Sequence, residues 1–371
     1  MTESPVKSNG RNNLLDTSWR PDADELTKRL NGWIAERFPA GSRLVQAAFP
    51  EEGGSSLNLM FSVEDREHRT RRYVARMSSP NPQHQTFPDE SLEREVRIMR
   101  VVRRHTSLPV PEILYYEDDR SWLGTPFLVM PRIAGRPWPS DPPYNFSGWV
   151  LDASPEDRAD MQRQLVAVLA ELHQITVDKF DLSEFERPHL GGDPLECQVN
   201  YVRQLYEWGR AGVRYPLVET ALELLSSSLP RRSKPACVNW GDSRAGNLLF
   251  HNGRVTAVLD WEGAALGHPE ADIAFVCLMH RYYQQRAEAL GIRGIPDAFR
   301  PADMAAEYAR LTGRELDDLS WYETLGATRA AAIQVRVLTR SRASGPAHGS
   351  DPDKALSIAP VLRDLTARMA R

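Results

Sequence analysis

Apolar and polar positions along the chain follow two periods, and the change between them divides the sequence. After a capped amphipathic stretch, "DADELTKRLNGWIAERF", the runs "RLVQAAF", "LNLMFSV" and "RYVARM" between Ser42 and Met77 are short and β-like, separated by Gly-Gly-Ser-Ser and by the charged turn "EDREHRTR". They predict hairpins of one antiparallel sheet. Next, "PDESLEREVRIMRVVRRH" places Leu92, Val96, Met99 and Val102 at helical spacing, and "VPEILYYEDD" and "TPFLVMPRI" read as further strands. Beyond Gly135 the patterning turns mostly helical, in "PEDRADMQRQLVAVLAELHQI", "PLECQVNYVRQLYEWGR", "LVETALELLSSSL", "PADMAAEYARLTG" and a long run from Asp318 to about Ala343. The predicted organisation is a polar, flexible tail over 1–20, a strand-rich part over 21–132 and a helix-rich part over 133–371, with a hinge near Arg132 to Pro137.

Composition narrows the class. With 371 residues, 41% of them hydrophobic and 26% charged, the chain has enough apolar side chains for two or three packed sub-domains. Its formal net charge of -4 is small for that size, which argues against a nucleic-acid binder with a globally basic surface. Cys197, Cys237 and Cys277 are odd in number and without CxxC spacing, so neither a disulfide framework nor a zinc site is predicted. The first residues lack the apolar core of a secretory signal, and no apolar run reaches the roughly 18 residues of a membrane span. A cytoplasmic protein, monomer or homodimer, with no membrane partner is expected.

The chemistry concentrates in "CVNWGDSRAGNLLFHNGRVTAVLDWE", Cys237 to Glu262. Asn252-Gly253 suits a type I′ turn, which needs positive φ at both central residues, so "NLLF" and "VTAVLDW" fold into a hairpin. That hairpin returns Asn247, at the start of one arm, to the neighbourhood of Asp260, at the end of the other. Hard cations such as Mg²⁺ favour carboxylate and amide oxygens together with substrate phosphates. Asp242 precedes Asn247 by five, the D-x-x-x-x-N spacing in which the aspartate takes a hydroxyl proton and the asparagine holds metal during phosphoryl transfer.

These residues resemble the aminoglycoside phosphotransferase family, a small-molecule branch of the protein-kinase-like fold. The resemblance is carried by "WGDSRAGNLLF" and "VLDWEGAALGHPEADIAF", supported by "TPFLVMPRIAGRPW" and "LAELHQI". It implies an α+β, bilobal architecture: an N-terminal antiparallel β-sheet lobe with one key helix, and a larger, mainly α-helical C-terminal lobe. It also implies Asp242 as catalytic base, Asn247 and Asp260 as Mg²⁺ ligands, Asp272 as a buttress of the catalytic loop, and ATP, or GTP as the alternative, as phosphate donor. His173, on an apolar helix, reads as a structural histidine.

In the strand-rich part, Gly53, Gly54, Ser55 and Ser56 are candidates for a phosphate-covering loop. Met130, Pro131, Arg132 and Ile133 form the hinge expected to meet the purine edge. Arg76 stands where the family has a nucleotide-contacting lysine, and Glu95 stands where a helix glutamate pairs with it, with Glu93 as a competitor. Arginine is a planar fork rather than a compact ammonium, so the phosphates need not be held in the same way. Trp240 replaces a scaffold histidine two residues before Asp242, and a packed tryptophan with its N–H satisfied can fill that role. These two departures leave open a nucleotide-binding pseudokinase. The acceptor is a small-molecule hydroxyl compound whose identity family membership does not decide. From Thr324 to Ser350 there is no acidic residue, while Arg329, Arg336 and Arg340 fall on one helical stripe. That stripe is either a solvated face paired with acids such as Glu196 or Glu207, or a cleft wall that favours an anionic acceptor, such as a hydroxyacyl-CoA, over the polycationic aminoglycosides of a resistance enzyme.

Overall fold

The computed structural model describes residues 22–49, 57–79, 81, 83, 85–89, 91–231, 235–342 and 351–370. The expected tail and the Gly53–Ser56 loop lie outside the described residues.

Helix α1 (Ala23–Arg37) starts where the Asp22 carboxylate accepts the Glu25 N–H at 2.9 Å. Five strands follow as one antiparallel sheet in the order β1-β2-β3-β5-β4: β1 Arg43–Ala48, β2 Leu57–Glu64, β3 Thr70–Met77, β4 Tyr115–Glu117 and β5 Phe127–Pro131. Because successive side chains in a strand point to opposite faces, Tyr73, Ala75 and Met77 of β3 pack with Phe127 and Val129 toward Leu30, Trp33 and Ile34 of α1. Arg76 is thereby turned to the other face. There Leu128, its partner across the ladder, packs on Leu92 and Val96 of α2 (Leu92–His105). The predicted strand "VPEILYYEDD" shrinks to the three residues of β4, and a single turn, α3 (Arg120–Leu123), follows it.

The chain leaves the sheet through 132–136, where Arg132 N–H donates to Arg72 O and Arg136 exchanges two 3.0 Å backbone bonds with Phe250. Beyond it lie α4 (Trp149–Asp152), α5 (Pro155–Leu172), α6 (Pro194–Gly209), α7 (Pro216–Ser227), α8 (Pro269–Ala289), α9 (Pro301–Thr312), α10 (Ser320–Arg342) and α11 (Ala359–Met369). α8 is buried over most of its circumference, and it joins a core of α5, α9 and two short antiparallel pairs to a second core of α6, α7, α10 and α11. The pairs are the ribbon of β6 (Cys237–Asn239) with β9 (Ala265–Gly267), and the hairpin of β7 (Leu248–His251) with β8 (Arg254–Val258) that lies between them in sequence. The turn between β7 and β8 has φ 50° at Asn252 and 72° at Gly253, as the Asn-Gly pair predicts. Among the described residues no helix is long and apolar enough to cross a membrane.

One consequence of this packing concerns acid stability. His280 of α8 is buried, with Nδ1 2.8 Å from Tyr144 OH, and burial depresses its pKa from 6.5 to about 4. Between these values the unfolded chain binds a proton that the native chain refuses, so stability declines as pH falls from about 6.5 to 4. At ~1.4 kcal/mol per pKa unit the full loss is about 3 kcal/mol. Thermal melts at pH 7 and 4.5 should show this decline in the wild type and a flatter profile in His280→Gln; parallel profiles would assign the acid sensitivity elsewhere.

Candidate active site

The short strand β6 delivers the chain into a loop, 240–247, held almost entirely through backbone. Gly241 has φ 83°, and a Cβ there would stand 2.1 Å from the carbonyl oxygen of Gly263, so only glycine permits the two loops to touch. The Asp272 carboxylate, at the start of α8, accepts the N–H of Trp240 at 2.7 Å and of Gly241 at 2.9 Å, with His173 Nε2 at 3.1 Å from the same carboxylate. His173 Nδ1 in turn meets Tyr308 OH at 3.1 Å. The buried Trp240 ring donates its indole N–H to Leu259 O at 2.9 Å, tying the loop to the end of β8. The position that sequence marked as a departure is therefore structurally satisfied.

This frame presents Asp242. Its carboxylate accepts Asn247 Nδ2 at 2.7 Å and Arg244 Nε at 3.0 Å, while Asn247 Nδ2 also reaches Asp242 O at 2.9 Å. The pairing with Asp242 raises the pKa of Arg244 against the effect of burial, so the guanidinium stays charged. The hairpin brings Asn247 and Asp260 together as expected: Leu259 N–H donates to Asn247 O at 2.9 Å, next to Asp260. Asp260 itself has φ 64°, a left-handed conformation that costs a non-glycine residue on the order of 1 kcal/mol and is concentrated at functional sites.

Arg76 comes across from the sheet. Its Nε lies 3.1 Å from Glu95, and its Nη2 lies 2.8 Å from Glu262 and 3.2 Å from Asp260. Burial works to lower the pKa of this arginine, but Glu95, Asp260 and Glu262 together outweigh it and hold the value above the ordinary range. The helix partner is Glu95; the exposed Glu93 pairs with Arg97 instead. Met130 and Pro131 end β5 and Arg132 and Ile133 follow it, at the crossing between sheet and helices.

The arginine stripe divides. Only Arg329 reaches the loop, donating from Nη1 to Gly241 O at 2.6 Å, with its guanidinium lying against Gly263. Arg336 donates to Gln83 O at 2.7 Å and Gln85 O at 3.1 Å and stacks 3.8 Å from the Trp208 ring, while Arg340 reaches Thr86 Oγ1 at 3.4 Å. The three arginines of the stripe thus lie against different neighbours. About 1.5 Å of rise per residue carries the far end of the stripe roughly 16 Å from Arg329, onto the segment before α2.

Beside Gly241 and Gly263 opens a cavity of about 410 Å³, walled by the 185–192 segment, α6, the start of α8, and α10. Its acidic wall residues are Glu186 and the fully engaged Asp272, and its cations are Arg187 and Arg329. Arg187 is neutralised by Asp89 at 2.8 Å. No carboxylate among the described residues lies within ion-pair distance of Arg329, whose Nε is buried without a partner. Sequence reasoning missed Arg244, Glu262 and Arg187. The first two had a signal in lying two residues after Asp242 and Asp260, whereas the place of Arg187 is a matter of tertiary packing alone.

The sequence profile of the phosphotransferase enzyme family matches residues 51–313. The chain belongs to that family. Its α+β, protein-kinase-like fold agrees with that membership. A Ralstonia eutropha protein provisionally named an aminoglycoside phosphotransferase superposes with a TM-score of 0.64 at 24% identity, over 92% of this chain and 96% of the other. The GDP complex of aminoglycoside 2′-phosphotransferase-IIIa superposes with a TM-score of 0.54 at 14% identity, over 92% of this chain and 99% of the other. Mouse acyl-CoA dehydrogenase family member 10 is 28% identical over 331 residues, 86% of this phosphotransferase and 28% of the mouse protein. The chain spans about a quarter to a third of the length of the curated relatives it matches.

Proposed function

We propose that this phosphotransferase moves the γ-phosphate of ATP to a hydroxyl of an anionic small molecule of the hydroxyacyl class, for example a hydroxyacyl-CoA. In this reading residues 21–132 and 133–371 are two lobes, and Met130–Ile133 between them meets the purine. Asp242 accepts the hydroxyl proton as the acceptor oxygen bonds to phosphorus and the bond from phosphorus to the β–γ bridging oxygen breaks, releasing ADP. Asn247 and Arg244 hold the Asp242 carboxylate in place, and catalysis comes mainly from positioning and charge neutralisation.

The residues present fit Mg²⁺. Asn247 turns its amide NH₂ to Asp242, which leaves its amide oxygen as a ligand, and the Asp260 carboxylate is the adjoining hard donor. Two protein ligands leave the remaining positions of a Mg²⁺ ion to phosphate oxygens and water. Bound there, the metal would neutralise charge on the phosphates. Arg76 shares Asp260, so it acts beside that cation as a fixed charge linking sheet and loop.

The observation that carries the acceptor class is Arg329, a cation with no carboxylate partner among the described residues, in the wall of a cavity that touches the loop bearing Asp242. A partly buried charge left unpaired is costly, and a polycation in this cavity would add to that cost, whereas an anionic or carbonyl-bearing acceptor relieves it. The relatives' name, acyl-CoA dehydrogenase family member, supports an acyl acceptor. Arg329→Gln should raise the acceptor KM about tenfold, with the KM for ATP unchanged. The test is ATP consumption over hydroxyacyl-CoAs, free hydroxy acids, neutral alcohols and kanamycin-like polycations; efficient turnover of the last, indifferent to Arg329→Gln, would sink the proposal.

A further inference from the structure

We infer that the cavity beside Gly241 is a pocket for the hydrocarbon tail of the acceptor and sets the chain length the enzyme accepts, an inference that rests on the hydroxyacyl reading above. The polar groups in its wall are largely engaged with one another. Gln198 Nε2 donates to Leu266 O at 2.8 Å and to Asn239 Oδ1 at 3.2 Å, and Asn239 Nδ2 donates to His268 O at 3.0 Å. Tyr201 OH donates to Asp89 at 2.8 Å, under the guanidinium of Arg187, which is itself bonded to Asp89. Tyr322 OH is 2.6 Å from His268 Nδ1.

A polyol or polyamine entering this space would exchange water for groups already committed elsewhere, and unmade hydrogen bonds of that kind oppose binding. A saturated chain meets no such cost. Val177, Phe185, Pro188, Val202, Phe275 and Leu325 offer it an apolar wall. Arg329, with no carboxylate partner among the described residues, sits where the cavity meets the catalytic loop, so the polar end of an acyl compound is held near Asp242 and the tail points away from it. At about 30 Å³ per water-sized group, the volume of about 410 Å³ holds about fourteen such groups, so with the polar head taking about two to four of them it accommodates a tail of roughly ten to twelve carbons and is too small for coenzyme A itself.

Two series test this. In turnover, kcat/KM for hydroxyacyl substrates should rise about fourfold per methylene, equivalent to ~0.8 kcal/mol, and level off near ten to twelve carbons. In binding, calorimetry with unhydroxylated straight-chain carboxylates, from butanoate to dodecanoate, should show the same trend without any chemistry. Gly192→Phe and Cys197→Trp place bulk in the wall; Gly192 has nothing within 4 Å of an added Cβ, so that variant is expected to fold. Each should weaken decanoate binding at least tenfold and butanoate binding less than twofold. Binding that is flat with chain length, or decanoate affinity untouched by both variants, overturns the tail pocket. Length-dependent binding that both variants abolish, with no hydroxyacyl compound phosphorylated, supports the pocket and refutes the acceptor assignment.

Discussion

Asp242→Asn should lower turnover by about 10²- to 10⁴-fold, the usual cost of losing a positioned base. The substitution keeps the shape of the side chain and one oxygen to accept from Asn247 Nδ2, which now lies 2.7 Å away. It removes the negative charge that holds Arg244 and the capacity to take a proton. Because the nucleotide-side contacts proposed for Arg76, Asn247 and Asp260 are left in place, the dissociation constant for Mg-ATP should change little. Single-turnover phosphorylation of the acceptor, with ATP binding measured alongside by calorimetry, separates the two. Turnover at the wild-type rate with a true acceptor would mean that the proton goes elsewhere. A pseudokinase would show no turnover in either form, but the complete bonding of the 240–247 loop gives that reading no structural motive.

Local rules made the catalytic hairpin legible from sequence. Asn252-Gly253 has one favoured turn, that turn sets a two-residue loop, and the loop's register places Asn247 beside Asp260. Arg76 and Glu95 are singled out by the family resemblance rather than by any local rule, and alternation along β3 is what turns Arg76 away from the α1 face to meet Glu95. What remained hidden depends on backbone meeting backbone over long separations. Nothing in "ALG" shows that Ala265–Gly267 pairs with β6, and no periodicity shows that Gly241 and Gly263 touch. The arginine stripe illustrates the limit of periodicity: it assigned one face of α10 correctly and could not say that this face spans two different neighbours.

The second large effect is expected at Asp260→Ala, which should reduce turnover by about 10²- to 10³-fold, the range seen when a charge-stabilising group is removed from a preorganised site. Two losses coincide there. The proposed Mg²⁺ site keeps only the Asn247 amide, a neutral ligand, and a hard divalent cation bound by one protein oxygen is held weakly. Arg76 also loses one of three carboxylates, although Glu95 at 3.1 Å and Glu262 at 2.8 Å keep it in place. The charge of the arginine therefore survives the substitution, and so does its link from β3 to the loop. That survival gives the variant its diagnostic value, because ATP affinity should lose its dependence on Mg²⁺ while a Mg²⁺-independent component persists through Arg76. Titration of ATP with and without the metal should give two distinct curves for the wild type and coincident ones for Asp260→Ala. Arg76→Ala should do the converse, weakening ATP in both conditions and lowering the melting temperature, since Glu95, Asp260 and Glu262 would lose the guanidinium they share. Unchanged Mg²⁺ dependence in Asp260→Ala would move the metal to other ligands and leave Asp260 as a partner of Arg76 alone.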